Sequence, residues 1–581
     1  MKYKLLAAAV FAAITPQVQG ATPYVLEELG NLSYAKHAFV TDMNESGQAI
    51  GMAQGVFDIH IDTAALDFDD SRLKNYYDIR KGEFEDIDEE ITFTLEDIQN
   101  GTINGDAQQF LQDYLREYYT DSQLQKISAN RTLEYNVAVE YINPTTEKVL
   151  FDVEDADYEG LTRSVENIYT GISEDGVKVG WGSAPYTKIE FTPDGDTESE
   201  THYIRDFTRR AFVMTPTGER VDLMPIEQTY GGLSIATDIQ KVSEGYVVIG
   251  ESSVSMVAEA LERLEDRCDG ENQPLEVCYE GYVTSTSSAL YNRHATKWVL
   301  DNEFNVIDTI DLGLGIIPDE DELKTAWIST ALGTNENDIA VGYSVVRYDG
   351  DKRRYYPVYF QNGEVVEFID EDKYEQGGRA VSINQHNVFT GYAVQDIENT
   401  TRSKFFYHDI ATGETRFPDD FFKSSSAVAN DINDNGLIVG QGEVETTSSS
   451  RRRQEGFIYN INTETFTNLN DLLPCYESDG ETPYAYVVSE AIGILNDGTV
   501  YGTATKTVDK RDAQGNVVVD SEGKVERESI VVPVKLTYNP DGVADTCPPK
   551  EKETYERQGA SMGLIGLLLL PLVAIRRRLF K

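Results

Sequence analysis

Cysteine is scarce: the 581 residues hold four, Cys268, Cys278, Cys475 and Cys547. None precedes Cys268, so no lipid-modified cysteine can follow an N-terminal signal, and a lipoprotein is excluded. No Cys-x-x-Cys pair occurs, which argues against a cysteine zinc site. The six histidines (His37, His60, His202, His294, His386 and His408) are scattered, with no His-x-x-x-His pair. Also missing are a Gly-x-Ser-x-Gly elbow, a phosphate-binding loop and a dinucleotide fingerprint. These absences leave no catalytic set, no metal centre and no expected cofactor. Positive charge is the largest deficit. Lys and Arg number 50 against 100 Asp and Glu, a formal charge of −50. Such a field repels phosphate backbones, so nucleic acid is not an expected partner. Weak divalent-cation binding fits better, with Asp67–Asp70 and Glu83–Glu90 as acidic runs that otherwise read as solvated surface.

Long apolar runs are missing too, apart from a short one at each end. Lys2, Lys4, the run Leu5–Ile14 and small residues at Val18-Gln19-Gly20 read as a secretory signal over residues 1–20. Cleavage is expected after Gly20 or Ala21. Met562–Ile575 is apolar and uncharged, but shorter than the about 20 residues of a usual spanning helix. Arg576, Arg577, Arg578 and Lys581 follow, and belong on the cytoplasmic side. The body then lies on the other face, joined to the membrane at least transiently by this helix. Six basic residues sit in these ends, leaving a body of 44 basic and 100 acidic residues, net −56. An even cysteine count in an exported chain suggests disulfides. Of three possible connectivities, Cys268–Cys278 would close a small loop and Cys475–Cys547 would clip the end of the body.

What is abundant is repetition. The clearest copy is Ala427 to Gly440, an alternating strand, an Asn433-Asp434-Asn435-Gly436 turn and a returning strand. Phe457–Tyr459 and Phe466–Leu469 continue it as two more strands. Four short antiparallel strands in roughly 45–50 residues make a propeller blade. Further copies align on the glycine of the second strand: Gly51, Gly180, Gly250, Gly342, Gly391 and Gly502, seven with Gly440. Turn glycines at Gly47, Gly176, Gly245, Gly436 and Gly498 are expected where the backbone needs positive φ. A third strand recurs at Arg210–Val213, His294–Trp298, Pro357–Phe360 and Lys404–Tyr407. The seventh copy lacks a fourth strand, and Tyr24–Leu29 looks like a fourth strand without a blade. Their union would close a ring and remove its sheet edges.

The expected fold is therefore mainly β, a seven-bladed propeller over residues 21–547 with insertions. The longest runs from about Asp58 to Arg131, with a helix over Asp106–Lys126. A second lies between Glu251 and Asn292, with a helix over Ser255–Arg267. A third, Asp509–Arg527, reads as a long hairpin. Residues 548–561 read as a linker, 562–575 as the membrane helix and 576–581 as a basic tail.

Ala429–Gly440 and Lys36-His37-Ala38-Phe39 resemble the HAF family of extracellular repeats. Gly559-Ala560-Ser561, the apolar run and the arginine cluster resemble C-terminal sorting tails of Gram-negative bacteria. Those tails are cut by an intramembrane protease, and their best-known form has a Gly-Gly pair that this chain lacks. With both signals, the chain resembles a family of exported Gram-negative proteins, a domain of unknown function. The resemblance implies location and fold and supplies no catalytic residues.

Two patterns invite chemistry. Asp431–Gly436 matches the start of a calcium loop, but the twelfth position, which needs a bidentate Glu, is Gly442. Arg451-Arg452-Arg453 reads as an exposed loop tip. The expected role is an exported envelope or surface recognition module binding a protein or glycan, without enzymatic activity. The alternative is a hydrolase of an extracellular polymer, which raised-pKa carboxylates in the channel would favour. A self-associating structural component is a third.

Overall fold

The computed structural model describes residues 22–548 except 31, 87–90, 128–135, 142–145, 149, 159, 163, 165, 284–288, 319–324, 350–351, 371–372, 447–451 and 521. The expected signal with Gly20 and Ala21, the Gly559-Ala560-Ser561 site, the apolar run and Arg576–Arg578 lie outside these residues. Among the described residues no helix is long and apolar enough to cross a membrane.

Seven four-stranded antiparallel sheets form the body. Blade 1 is Ala35–Met43, Ala49–Val56, Val137–Glu140 and Thr146–Glu147; blade 2 is Asn167–Ile172, Lys178–Gly182, Arg210–Met214 and Arg220–Leu223. Blade 3 is Ser234–Val242, Gly245–Met256, Tyr291–Asp301 and Val306–Gly313. Blades 4, 5 and 6 start with inner strands Ser329–Thr334, Gly378–Ile383 and Ala427–Ile432. Blade 7 takes Tyr486–Ile494, Val500–Asp509 and Arg527–Tyr538 from the C-terminal end and its outer strand, Tyr24–Glu28, from the N-terminal end. Each inner strand packs on the next, and that of blade 1 packs on blade 7, which closes the ring. Seven apolar clusters fill the seven gaps between blades, such as Val179, Val213, Val248 and Trp298 between blades 2 and 3.

The repeat glycine has a steric cause. In every blade the inner strand bulges just after the residue paired with this glycine, as between Ala429 and Asp431 opposite Gly440. The bulge presses a carbonyl onto the second strand. A Cβ on Gly440 would lie 2.0 Å from Val428 O, and the other six glycines meet the same obstacle at 1.9–2.1 Å. Gly440→Ala is expected to destabilise the protein by about 2 kcal/mol, the cost of overpacking a strand pair. Urea unfolding checks this; an unchanged midpoint would mean that the inner strand can move aside.

The repeat asparagine also has a double role. Asn433 Oδ1 accepts the N–H groups of Asn435 and Leu437 in its own turn, while its Nδ2 donates to Leu495 O of blade 7 at 2.9 Å. Asn335 and Asn384 clasp their following blades in the same way, and Asn44 of blade 1 clasps Ser173 O. Asn496 N donates to Glu45 Oε1, which carries the lacing across the seam between blades 7 and 1.

The insertions differ in detail from expectation. The first carries helices Ser71–Asp86, Leu95–Gln99, Gly105–Tyr118 and Asp121–Leu124 around its own core of Phe93, Phe110, Leu111 and Tyr114. The single expected helix breaks because Thr120 and Gln123 form a reciprocal cap that starts a new one. The second insertion is narrower than expected, because strand pairing continues to Met256 opposite Tyr291. Its first helix is Ala258–Arg267, and a second, Leu275–Val283, follows. Lys36–Phe39 lies in an inner strand, not at the third-strand position that the His-Ala-Phe likeness implies.

Candidate functional site

Two regions gather polar groups: the ring axis and the insertion-bearing face. At the axis, the residue after each bulge is in turn Asp42, Gly171, Asp238, Gly333, Ser382, Asp431 and Gly493. Each aspartate reaches the blade that follows it. Asp42 Oδ2 accepts Ile172 N–H at 2.7 Å, Asp238 Oδ2 accepts Thr334 N–H at 2.9 Å, and Asp431 Oδ2 accepts Ile494 N–H at 2.9 Å. The glycine before each of these donors keeps the axis narrow: a Cβ at Gly493 would meet Met43, and one at Gly333 would lie 2.7 Å from Val381 O. Ser382 Oγ donates to Asp431 Oδ1 at 2.6 Å. Burial pushes all three carboxyls up: Asp42 well above the ordinary range, with Asp238 and Asp431 adding repulsion, Asp238 to about 6, and Asp431 upward as well. These are raised-pKa carboxylates on the inner strands, and each has an oxygen already engaged by the neighbouring blade.

The other region follows from connectivity. All four long insertions leave from the connection between second and third strands, so they emerge on one face: the helical unit of blade 1, hairpin Thr187–Phe191/Glu200–Ile204 of blade 2, the helix pair of blade 3 and hairpin 510–526 of blade 7. They fuse into one wall over blades 7, 1, 2 and 3. Asp58 N donates to Ala513 O and Gln514 Nε2 to Ile103 O, joining the first and last. Arg205, whose side chain is 4% exposed, joins those of blades 1, 2 and 3. It pairs with Glu280 at 2.5 Å and Asp121 at 3.6 Å, and its guanidinium lies 4.9 Å from the Tyr186 ring centroid. Tyr186 OH donates to Glu280 Oε1 at 2.7 Å. Blade 5 has only a Glu398-Asn399 turn at the corresponding connection, both residues with positive φ.

A cavity of about 240 Å3 opens in this wall, lined by Arg205, Phe207, Tyr230, Glu276, Tyr279 and Val283 among others. Tyr230 sits at φ 57°, a left-handed conformation that side chains rarely adopt, and is followed by Gly231 and Gly232 at φ 89° and 62°. Tyr291 OH donates to the Thr229 and Tyr230 carbonyls and fixes this loop. The Tyr230 and Tyr279 rings are 4.3 Å apart. Cys268 pairs with Cys278, which holds the helix carrying Glu276, Tyr279 and Glu280.

Cys475 pairs with Cys547, and no described cysteine is free. Two disulfides fit an oxidising compartment outside the cytoplasm. Gly47, Gly176, Gly436 and Gly498 adopt φ of 74–87° in their turns, and Gly245 φ 148° where a Cβ would strike Leu300 O. Among the described residues no group of three or more His, Cys, Asp or Glu is placed to hold a metal ion. The acidic run at Asp67–Asp70 caps and pairs locally, with Asp70 on Arg72 and Asp69 on Lys74. Arg452 is not an exposed tip: its side chain is 11% exposed, donates to Ser424 O and pairs with Glu443 at 2.9 Å. Arg451 lies outside the described residues. Sequence reasoning did not find Arg205, Asp42 or Asp238, which no local motif marks as functional, and it met Asp431 only as the start of a calcium-loop pattern.

Fold and site define a closed seven-bladed β-propeller, laced at its axis and walled on one face. The chain belongs to the family described as "Protein of unknown function (DUF3466)", whose model matches residues 1–578. No curated protein matches it. Among solved structures, the β-propeller domain of the trilobed protease from Pyrococcus furiosus is similar at 8% identity and TM-score 0.31, over 68% of this chain and 86% of that one. The Pyrococcus horikoshii acylaminoacyl peptidase matches at 11% identity and TM-score 0.30, over 62% of this chain and 52% of that one. TolB from Acinetobacter baumannii matches at 11% identity and TM-score 0.25, over 61% and 66%.

Proposed function

We propose that the protein is an exported recognition module of the cell envelope or surface, binding a protein or glycan on its insertion-bearing face. The observation that supports this reading is the wall: four insertions from four blades, tied together at Arg205 and at Gln514, on one side of a rigid ring. Insertions at one end of a scaffold are where binding residues concentrate.

Photo-crosslinking in intact cells tests it. A crosslinking side chain replaces Ile79, which is 60% exposed on helix Ser71–Asp86, or Thr463, which lies in an opposite-face turn of blade 6. Adducts are expected from position 79 and not from 463. Adducts from 463 alone, or from neither, would overturn the reading.

A second reading, hydrolysis of an extracellular polymer, draws on the raised carboxyls of Asp42, Asp238 and Asp431. Their engagement with backbone N–H groups weighs against it, since a general acid or base must be free to reach substrate. Polymer cleavage lost in Asp42→Asn with the fold intact would favour it.

A further inference from the structure

We infer that an arc of three arginines at the mouth of the ring, Arg209, Arg293 and Arg379, binds the carboxylates of an extended acidic peptide; the inference rests on the recognition-face reading and names the class of partner. The arc follows from the repeat. In blades 2 and 3 the residue after the repeat glycine is Trp181 or Glu251, in register with Ala211 or Ala295 of the third strand. Two positions before these alanines stand Arg209 and Arg293. Each bridges to the residue ahead of the next inner strand, Arg209 to Leu233 and Arg293 to Ile328. Blade 4 has Tyr355 at this position, and the inner strand of blade 5 supplies the charge instead: the Arg379 guanidinium lies over the Tyr343 ring of blade 4. One guanidinium therefore marks each of the three successive gaps from blade 2 to blade 5. In blades 1, 5, 6 and 7 the equivalent third-strand residues are Asn136, Ser403, Gln454 and Val531, all uncharged.

The three are held in place without being satisfied. The Arg209 guanidinium lies 4.8 Å from the Trp181 ring centroid, and that of Arg379 lies 4.6 Å from the Tyr343 centroid. Among the described residues neither forms an ion pair, although the chain carries two acidic residues for every basic one. Arg293 gives Nη1 to Glu251 Oε1 at 2.7 Å, and Thr330 Oγ1 donates to the other oxygen of this carboxylate at 2.7 Å. Glu251 is 6% exposed and so positions Arg293, whose own side chain is 25% exposed. Arg379 is exposed and Arg209 half-buried. No guanidinium nitrogen of the three is both buried and unpartnered, so their free donors are within a ligand's reach. Stacking on a ring fixes the plane of a guanidinium and leaves its edge for a bidentate carboxylate.

The ligand follows from what the arc offers and what it withholds. The aromatic faces that could hold a sugar ring are covered, Trp181 by Arg209 and Tyr343 by Arg379. A body of net −56 penalises every negative charge on a ligand. A phosphate monoester carries about −1.5 to −2 where a carboxylate carries one charge, so the carboxylate is favoured. At about 0.15 M salt the Debye length is about 8 Å, so arginines in contact with the ligand outweigh a more distant acidic surface. Access comes from the low side of the ring. Blade 5 carries only the Glu398-Asn399 turn here, so an extended chain can cross it to reach all three gaps.

Calorimetry on the full-length protein at about 0.15 M salt tests this with deca-glutamate, a neutral Gln-Gly peptide of the same length and a deca-uronate. Deca-glutamate is expected to bind with a micromolar Kd, about tenfold or more tighter than either comparison. Arg379→Gln should weaken it several-fold, and Arg209→Gln combined with Arg379→Gln about tenfold or more. Because Arg379 is exposed, its variant keeps the fold and separates lost contact from lost structure. Arg416→Gln removes the same charge from the opposite face, where Arg416 pairs with Glu464, and should leave binding unchanged. No deca-glutamate binding up to about 1 mM, a deca-uronate bound as tightly, or equal weakening in Arg379→Gln and Arg416→Gln would overturn the inference. Failure here with crosslinks from position 79 would leave the recognition face standing with another ligand.

Discussion

Removing residues 22–29 is expected to give a protein that is less stable by about 5 kcal/mol or more and self-associates. The outer strand Tyr24–Glu28 pairs in full register with Val534–Tyr538, and Asn539 N and Leu29 N extend the pairing on either side. Tyr24 is 2% exposed, packs with Leu536 and Val500, and donates its hydroxyl to Gly498 O at 3.0 Å. Glu28 pairs with Lys506 and accepts from Tyr486 OH at 3.1 Å. Burial of the tyrosine and part of Leu26 contributes about 3 kcal/mol, and the net backbone hydrogen bonds about 1 kcal/mol each. Deletion also exposes Arg527–Tyr538 as an edge strand, a template for pairing with another chain. The Cys475–Cys547 bond still holds blade 7 against the blade 6 connection, so the ring should open at the seam with blade 1. Light scattering after size exclusion and urea unfolding read both effects, and a peptide of residues 22–29 added in trans should restore the monomer. A monomer with an unchanged midpoint would show that the closing strand is dispensable.

This closure was legible because it is an edge-counting argument: a blade short of one strand and a strand short of a blade. The repeat glycine and turn asparagine were legible as a pattern, while their causes were not. Gly440 reads as a strand end, yet it answers a bulge one strand away, and bulges leave no alternation signal. Asp431 belongs to the same pattern and looks like a calcium ligand, although its role is set by Ile494 N–H in the next blade. Helix Ser71–Asp86 was missed because its polar sequence carries little helical periodicity. Helix Leu275–Val283 is short and gains its place from the disulfide and from Arg205. Arg205 is a lone basic residue in sequence, and its three partners come from three different insertions.

The contribution of the axial aspartates to stability is expected to fall as pH rises from about 4 to about 7, the reverse of the usual carboxylate trend. An ordinary salt-bridged aspartate binds its proton less tightly when folded, and its contribution is lost on acidification. Asp238 does the opposite, since burial raises its folded pKa to about 6 from an unfolded value near about 3.9. The native state then holds more protons than the unfolded state between these values, so each proton lost on raising the pH disfavours folding. The limiting contribution is about 3 kcal/mol, of which about 2 kcal/mol falls between about pH 4.5 and about pH 7.5. Asp42 and Asp431 shift in the same direction and repel Asp238 and each other along the axis, so they add to the slope. Asp238→Asn isolates one contribution. Its amide still accepts one backbone N–H but not both Thr334 and Ile239, a loss that does not depend on pH. In urea titrations the wild type should therefore gain about 2 kcal/mol relative to Asp238→Asn on going from about pH 7.5 to about pH 4.5. Parallel curves would place Asp238 outside the proton-linked set. A divergence of the stated sign would mean that the lacing of the ring draws on a protonated axis, and that the blades are held least tightly where the protein carries its full negative charge.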